Sequence, residues 1–337
     1  MPVVSPFSDE QTRALVNLET RYQVWMDAYR MSAALPYDLR RKDIGGRAYL
    51  YEITDRSGNG KSLGPWSPER EAMFTAYRER KQAAKDRRDA SRAALDETCR
   101  LCRALRVPML ASEAGAILRE ADRRALLGSH LLVVGTNATV AYALEAGGAI
   151  HGLPDETQDF DLAWSATAAT AVDAAGQTVW AMLKAVDPTF TINSERTFQA
   201  RNAKAYEVEI LVAPSRAGTM SRTDQPRPVP LPEQEWLLRG RTVDRVVLCR
   251  DNAPARVVAP DPRWFALLKL WMSVQAKRNP LKRAKDLKQG MALLDAVSAT
   301  MPQFPLDAAF ASALPEALVD HHARWRARKP ADELPQW

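Results

Sequence analysis

The chain has 337 residues, room for two ordinary domains or for one large domain with extensions. Hydrophobic residues make up 46% and charged residues 26%, which argues against a mainly disordered chain, and no uncharged apolar run approaches the ~18 residues of a membrane span. Lys and Arg (47) exceed Asp and Glu (41) by 6, a mildly basic balance whose distribution matters more than its size.

The first residues hold no basic stretch followed by an apolar one, so no secretory signal is expected. Three cysteines, Cys99, Cys102 and Cys249, cannot build a disulfide framework, and a reducing cytoplasm is the expected setting. Residues 8–34 carry Leu15, Leu18, Tyr22, Trp25, Met26 and Tyr29 at helical spacing behind a capping Ser8 or Asp9. Residues 47–64 change to a period of two around the turn Asp55–Gly60, a hairpin signal. Residues 68–106 read as one long helix, with Ser67 as cap, Pro68 at the first position and no further Gly or Pro before Pro108. From Arg78 to Arg106 this helix holds ten Lys/Arg against five Asp/Glu. It is either a solvated helix laced with i,i+4 pairs or a basic rail for a polynucleotide. Cys99 and Cys102 match C-x-x-C, but mid-helix and without a second pair they carry no zinc or redox reading.

Residues 131–216 have an α/β pattern: strands at Leu131–Val134, Phe160–Trp164 and Tyr206–Val212, helices at Thr136–Ala146 and Thr167–Val186, and pairing segments near Thr191–Phe198 and Ala200–Lys204. Residues 219–235 read as a loop. Val243–Leu248 and Arg256–Val258 form a second hairpin, 261–297 is helical, and the tail from Met301 is helical but broken by prolines.

The strand Leu131–Val134 runs into Gly135-Thr136-Asn137, a turn that opens a helix. Backbone N–H groups there can bind phosphate, and glycine lets the anion approach closely. Asp159 and Asp161 stand at i and i+2 on the next strand, so both project from one face while Phe160 and Leu162 point into a core. Two adjacent carboxylates repel unless something neutralises them, and a divalent metal does so. A third acid is expected from Tyr206–Leu211, where Glu209 and Glu207 share a face. Oxygen ligands of this kind suit Mg²⁺ or Mn²⁺ with substrate phosphates completing the shell. No G-x-x-x-x-G-K-[ST] loop, G-x-G-x-x-G or kinase signature is present.

In this order, GTNATVAYALEAG, QDFDLAW, YEVEILVAP and PRWFALLKLWMS…KRAKDLKQGMALL resemble a bacterial nucleotidyltransferase-domain family of the DNA polymerase β-like superfamily. The hairpin YLYEITDRSGNGKSLG resembles that family's N-terminal region, so the likeness runs from about 45 to 297. It implies an α+β fold: a polymerase β-like core of mixed sheet and helices, with an N-terminal hairpin and long helix and a C-terminal helical subdomain. The expected divisions are 1–127, 128–260 and 261–337. The implied reaction transfers a nucleoside monophosphate from an NTP to an acceptor (RNA or tRNA, protein or small molecule), releasing pyrophosphate. Asp159, Asp161 and Glu209 would be the catalytic and metal-binding acids, with Glu207 the alternative third. Gly135, Thr136, Asn137, Lys269, Arg278, Lys282 and Lys285 would bind the nucleotide. Three features depart from the pattern: Thr136 replaces serine, Glu209 replaces aspartate, and the gap from Gly135 to Asp159 is long, with an expected loop around Gly147-Gly148 and His151-Gly152. The alternative is a catalytically degenerate module that docks nucleic acid or a protein through the helix 78–106.

Overall fold

The computed structural model describes residues 3–153, 159–173 and 178–328. Its elements in chain order begin with β1 (Val4–Pro6), α1 (Asp9–Ala33), β2 (Asp38–Ile44), β3 (Arg47–Ile53), β4 (Gly60–Pro65) and α2 (Pro68–Ala104). There follow β5 (Met109–Leu110), α3 (Ser112–Arg123), β6 (Leu131–Val134), α4 (Thr139–Glu145), β7 (Gly148–Ile150), β8 (Asp159–Trp164), α5 (Ala168–Asp173) and α6 (Val179–Val186). The remainder comprises β9 (Thr191–Ile192), β10 (Gln199–Arg201), β11 (Glu207–Val212), β12 (Val229–Pro230), β13 (Val243–Cys249), β14 (Pro254–Ala259), α7 (Pro262–Ser273), α8 (Pro280–Thr300), α9 (Ala308–Ser312) and α10 (Glu316–Ala327).

These residues divide into two compact units, 1–16 with 99–337, and 17–98. The division does not follow the boundaries expected at 127 and 260. Residues 99–127 belong with the larger unit because β5 joins the β13–β14 sheet and α3 packs into the main apolar core through Ile117 and Leu118. The segment 261–337 stays in it because Phe265, Leu267, Leu293 and Leu294 of α7 and α8 are in that same core.

In the larger unit the main sheet runs β6-β8-β11-β10-β9, with β12 beside the far end of β11. β6 is antiparallel to β8, and β8 is parallel to β11. This mixed order agrees with the α+β reading. Phe160, Leu162, Val208 and Ile210 are fully buried, so the acids that alternate with them are turned to the opposite face. Gly290 lets α8 approach α7: a Cβ there would stand 2.7 Å from the Ala266 carbonyl oxygen.

In the smaller unit, β2, β3 and β4 form an antiparallel sheet, and Leu39 and Leu50 pack with Tyr77 of α2. β2 is absent from the sequence reading, because DLRRKDI has only Leu39 and Ile44 as apolar residues and no clean alternation. Ser67 caps α2 through the Arg70 amide at 3.3 Å.

Three sequence expectations change. The helix expected over Thr167–Val186 is two, with Thr178 in extended conformation accepting from the Ala181 amide at the second start; residues 174–177 lie outside the described residues. The helix expected over 261–297 breaks before Pro280, where Asn279 caps α8 by accepting from the Leu281 amide at 2.9 Å. The expected loop at Gly147-Gly148 is partly strand: Gly148–Ile150 pairs with Val4–Pro6, and Ser5 O would clash with any side chain at 148.

Candidate active site

Register assembles the acids. The parallel pairing of β8 and β11 sets Asp161 opposite Glu209 and Asp159 opposite Glu207. The antiparallel pairing of β6 with β8 sets Val134 opposite Asp161, so Gly135 follows directly beside that carboxylate. Gly135 has φ 72° and ψ −161°, a conformation essentially reserved for glycine. A Cβ there would collide with the Asp161 carboxylate, its Cγ lying at 3.0 Å. The turn thus needs glycine for both its backbone and its approach to an acid.

Asp159, Asp161 and Glu209 line one cavity of about 540 Å³ with Gly135, Thr136, Lys269, Arg278, Lys282 and Lys285. Glu207 does not line it: this acid is bonded to Arg201 and accepts from Gln199 at 2.8 Å. Of the two glutamates left open by the sequence, Glu209 lines this cavity; it also accepts from Gln199 at 3.1 Å. Gln199 is fully buried and was not singled out in the sequence. Only the β10–β11 register brings it to Glu209.

Asp161 is partly buried and makes no hydrogen bond or ion pair with a described residue. Burial, then the charges of Asp159 and Glu209, push its carboxyl up to about 7 against the pull of Lys269 and Lys282. Burial likewise raises Glu209, with Lys282 opposing and Asp159 and Glu207 adding to the rise. Asp159 behaves oppositely. Burial pushes it up, but the Lys282 hydrogen bond and charge outweigh that and hold it below the usual carboxylate range.

The cationic wall comes from α7 and α8. Lys282 donates to Asp159 Oδ2 at 3.1 Å. Lys269, mostly buried, donates to Asp286 at 3.0 Å, and Arg278 donates to the other oxygen of Asp286 at 2.8 Å. Both cations line the cavity, yet each is already committed to one buried acid. Among the described residues Lys285 has no such partner, and burial lowers its ammonium against the pull of Asp159. Thr136 is buried and accepts from Gln289 at 3.3 Å. Asn137 turns away from the acids: its amide donates to the Asp159 carbonyl at 3.0 Å, and it lines a separate cavity of about 380 Å³ with Thr139 and Val140. The main cavity is also lined by the apolar Phe198, Leu231, Leu237 and Met272, by the polar Glu233, Gln234, Gln275 and Lys277, and by Trp271, edge-on to Trp236 at 5.3 Å.

The nucleotidyltransferase family matches residues 112–315, more than half of the chain. The chain belongs to this family. Membership implies a nucleotide substrate, and the matched span contains every acid and cation of the cavity. No curated protein and no solved structure matches the chain. No described helix is long and apolar enough to cross a membrane.

Among the described residues no three Asp, Glu, His or Cys side chains stand close enough to hold a metal ion by themselves. The donor set nevertheless fits a hard cation. All three acids offer oxygen, and Asp161, with no hydrogen-bond or ion-pair partner for its carboxylate among the described residues, stands beside the two others. Mg²⁺ commonly takes one or two protein carboxylates and completes its shell with water and substrate phosphate.

Proposed function

We propose that the chain is a metal-dependent nucleotidyltransferase of polymerase β-like type, moving a nucleoside monophosphate from an NTP to an acceptor hydroxyl or phosphate. The observation that carries this reading is the facing of two charge sets across one cavity: Asp159, Asp161 and Glu209 on one sheet face, and Lys282, Lys285 and Arg278 opposite.

Asp159 and Asp161 would hold Mg²⁺ or Mn²⁺, with Glu209 completing the set once substrate oxygens are present. The bound metal offsets phosphate charge and orients the reacting oxygens. The backbone of Gly135 and Thr136, at the start of the helical turn Thr136–Ala138, would receive phosphate oxygens. Lys282 and Lys285 would meet the β- and γ-phosphates, while Lys269 and Arg278 act through Asp286 to set the charge of that wall. The base would lie against Trp271, Phe198 and Leu231. The acceptor oxygen attacks the α-phosphorus in line. The bond from that phosphorus to the bridging oxygen of the β-phosphate breaks, and pyrophosphate leaves with the electron pair. Glu209, its carboxyl raised above the ordinary range by burial, takes the acceptor's proton.

The test is pyrophosphate release from each NTP with Mg²⁺, with and without pools of RNA, protein and small-molecule acceptors. Release that requires metal and an acceptor supports the reading. NTP binding of equal strength in excess EDTA, with no release from any pool, supports the degenerate binding module instead.

A further inference from the structure

We infer that the outer face of the β2–β3–β4 sheet, continued over its β2 edge into the groove beside α2, is a docking surface for a single-stranded polynucleotide. The inference stands apart from the transferase reading, because the unit 17–98 lies outside the matched residues 112–315.

Cross-strand register defines the face. Leu39 and Leu50 turn toward Tyr77 and form the core of this unit. Strand alternation therefore directs Arg40, Lys42 and Ile44 the other way, and their partners Tyr51, Tyr49 and Arg47 share that face. The outcome is two half-buried tyrosines and a half-buried Lys42 between the exposed Arg40 and Arg47 on one face of the antiparallel sheet. Lys42 lies over the Tyr51 ring at 4.8 Å, which fixes both on one side. Arg41 lies over Trp66, on the core side, at 5.1 Å. Asp38 is the acid at the end of this face and is held by Arg40 at 2.9 Å. Lys42 and Arg47 pair with no acid among the described residues.

The groove extends the same charge. It measures about 870 Å³ and is lined by Arg41, Arg78, Lys81 and Lys85, with Asp38 and Glu79 as its acids. Lys81 spends its ammonium on Asp38 and on the Tyr37 carbonyl. The other three cations face solvent. The C-terminal half of the basic run on α2 behaves differently. Arg92 pairs with Asp96 at 2.8 Å and Arg88 with Asp89 at 3.5 Å, as in the solvated-helix alternative. The basic track is thus the sheet and the start of α2 rather than the whole helix.

Charge selects a polyanion, and the tyrosines select one whose bases are free to stack. Single strands bind proteins through cations along the backbone and aromatic rings under successive bases. A duplex hides its base faces and would use the cations alone.

The experiment titrates full-length protein into a fluorescein-labelled 20-nucleotide single-stranded RNA of mixed sequence, reading anisotropy from 50 to 300 mM salt. Single-stranded DNA and the RNA duplex of the same sequence form parallel arms. The triple variant Arg40→Gln, Lys42→Gln, Arg47→Gln is expected to lower the slope of log affinity against log salt by about 2, since each phosphate contact on a single strand contributes about 0.7. Tyr49→Ala with Tyr51→Ala is expected to weaken single-strand binding about tenfold or more, while Tyr49→Phe with Tyr51→Phe restores it. Melting curves of each variant separate lost contact from lost fold. If the alanine pair melts early, the charge variant, confined to exposed and half-buried side chains outside the apolar core, decides. Three results overturn the inference: no single-strand binding at micromolar protein and 50 mM salt, an unchanged slope in the triple variant, or a duplex bound more tightly with the alanine pair neutral. None of them bears on pyrophosphate release, so the transferase reading stands or falls separately.

Discussion

Lys282 and Asp159 close one side of the cleft, the Lys282 ammonium on α8 donating to Oδ2 of Asp159 on β8 across 3.1 Å. The pair is partly exposed, with side-chain exposures of 53% and 29%. Pairs of that kind are worth about 0–1 kcal/mol. The contact therefore does little for stability and much for charge: it holds the Asp159 carboxyl below the usual range beside Asp161.

Lys282→Ala is accordingly expected to leave the melting temperature within about 2 °C of wild type. Binding of NTP with Mg²⁺ should weaken roughly tenfold or more, because a charged hydrogen bond to phosphate is worth about 1.5–3 kcal/mol. Calorimetric titration checks the second outcome and a thermal scan the first. Lys282→Arg should recover part of the affinity, since it keeps the charge.

Asp161→Asn is expected to abolish transfer while leaving the fold as stable or more so. The folded-state carboxyl stands near 7 against an ordinary 3.8, so between those values the folded chain binds the proton more readily than the unfolded one. Its contribution to stability is therefore lost as pH rises through that window. In EDTA the wild type should gain stability between pH 7.5 and about pH 5 relative to the variant. Asparagine cannot titrate, so the difference between the two melting curves isolates this group. Turnover near wild type in the variant removes Asp161 from the site.

The core strands and the acids were legible because their pattern is local: four apolar residues, a Gly-Thr turn, and an i,i+2 pair of aspartates backed by Phe160 and Leu162. That Glu209 and not Glu207 lines the cavity was not. Parity puts both on one face, and only the pairing with β10 diverts Glu207 to Arg201. The Asn279-Pro280 break was present in the residues but outweighed by apolar periodicity on either side. The commitment of Lys269 to Asp286 was invisible for a different reason: sequence shows which groups carry charge, while their neutralisation depends on two helices meeting at Gly290.

Asp286 is the buried hub of the cationic wall, with its side chain 2% exposed and a cation on each oxygen. Removing one member of a buried pair leaves the other charge uncompensated and costs about 3–5 kcal/mol. Asp286→Ala is therefore expected to destabilise the larger unit by that order in urea unfolding. Adding Lys269→Met to this variant should return much of the loss, because the stranded ammonium is then gone. A double variant no more stable than the single one contradicts the pairing.

Gly135→Ala tests the turn without removing any charged group. At φ 72° and ψ −161° an alanine strains the backbone, and its Cβ lies against the Asp161 carboxylate. Strain in that region costs about 1–3 kcal/mol, which a chain of this size survives. The added methyl must displace either the turn that would receive phosphate or the acid that would hold the metal. Transfer is expected to fall about a hundredfold or more, because small displacements of positioned groups are costly to rate. The variant should still bind the single-stranded polynucleotide, whose surface lies in the unit 17–98. Steady-state pyrophosphate release, a thermal scan and RNA anisotropy on the same preparation separate these effects. Wild-type release from a folded Gly135→Ala protein counts against any role of the turn in holding phosphate.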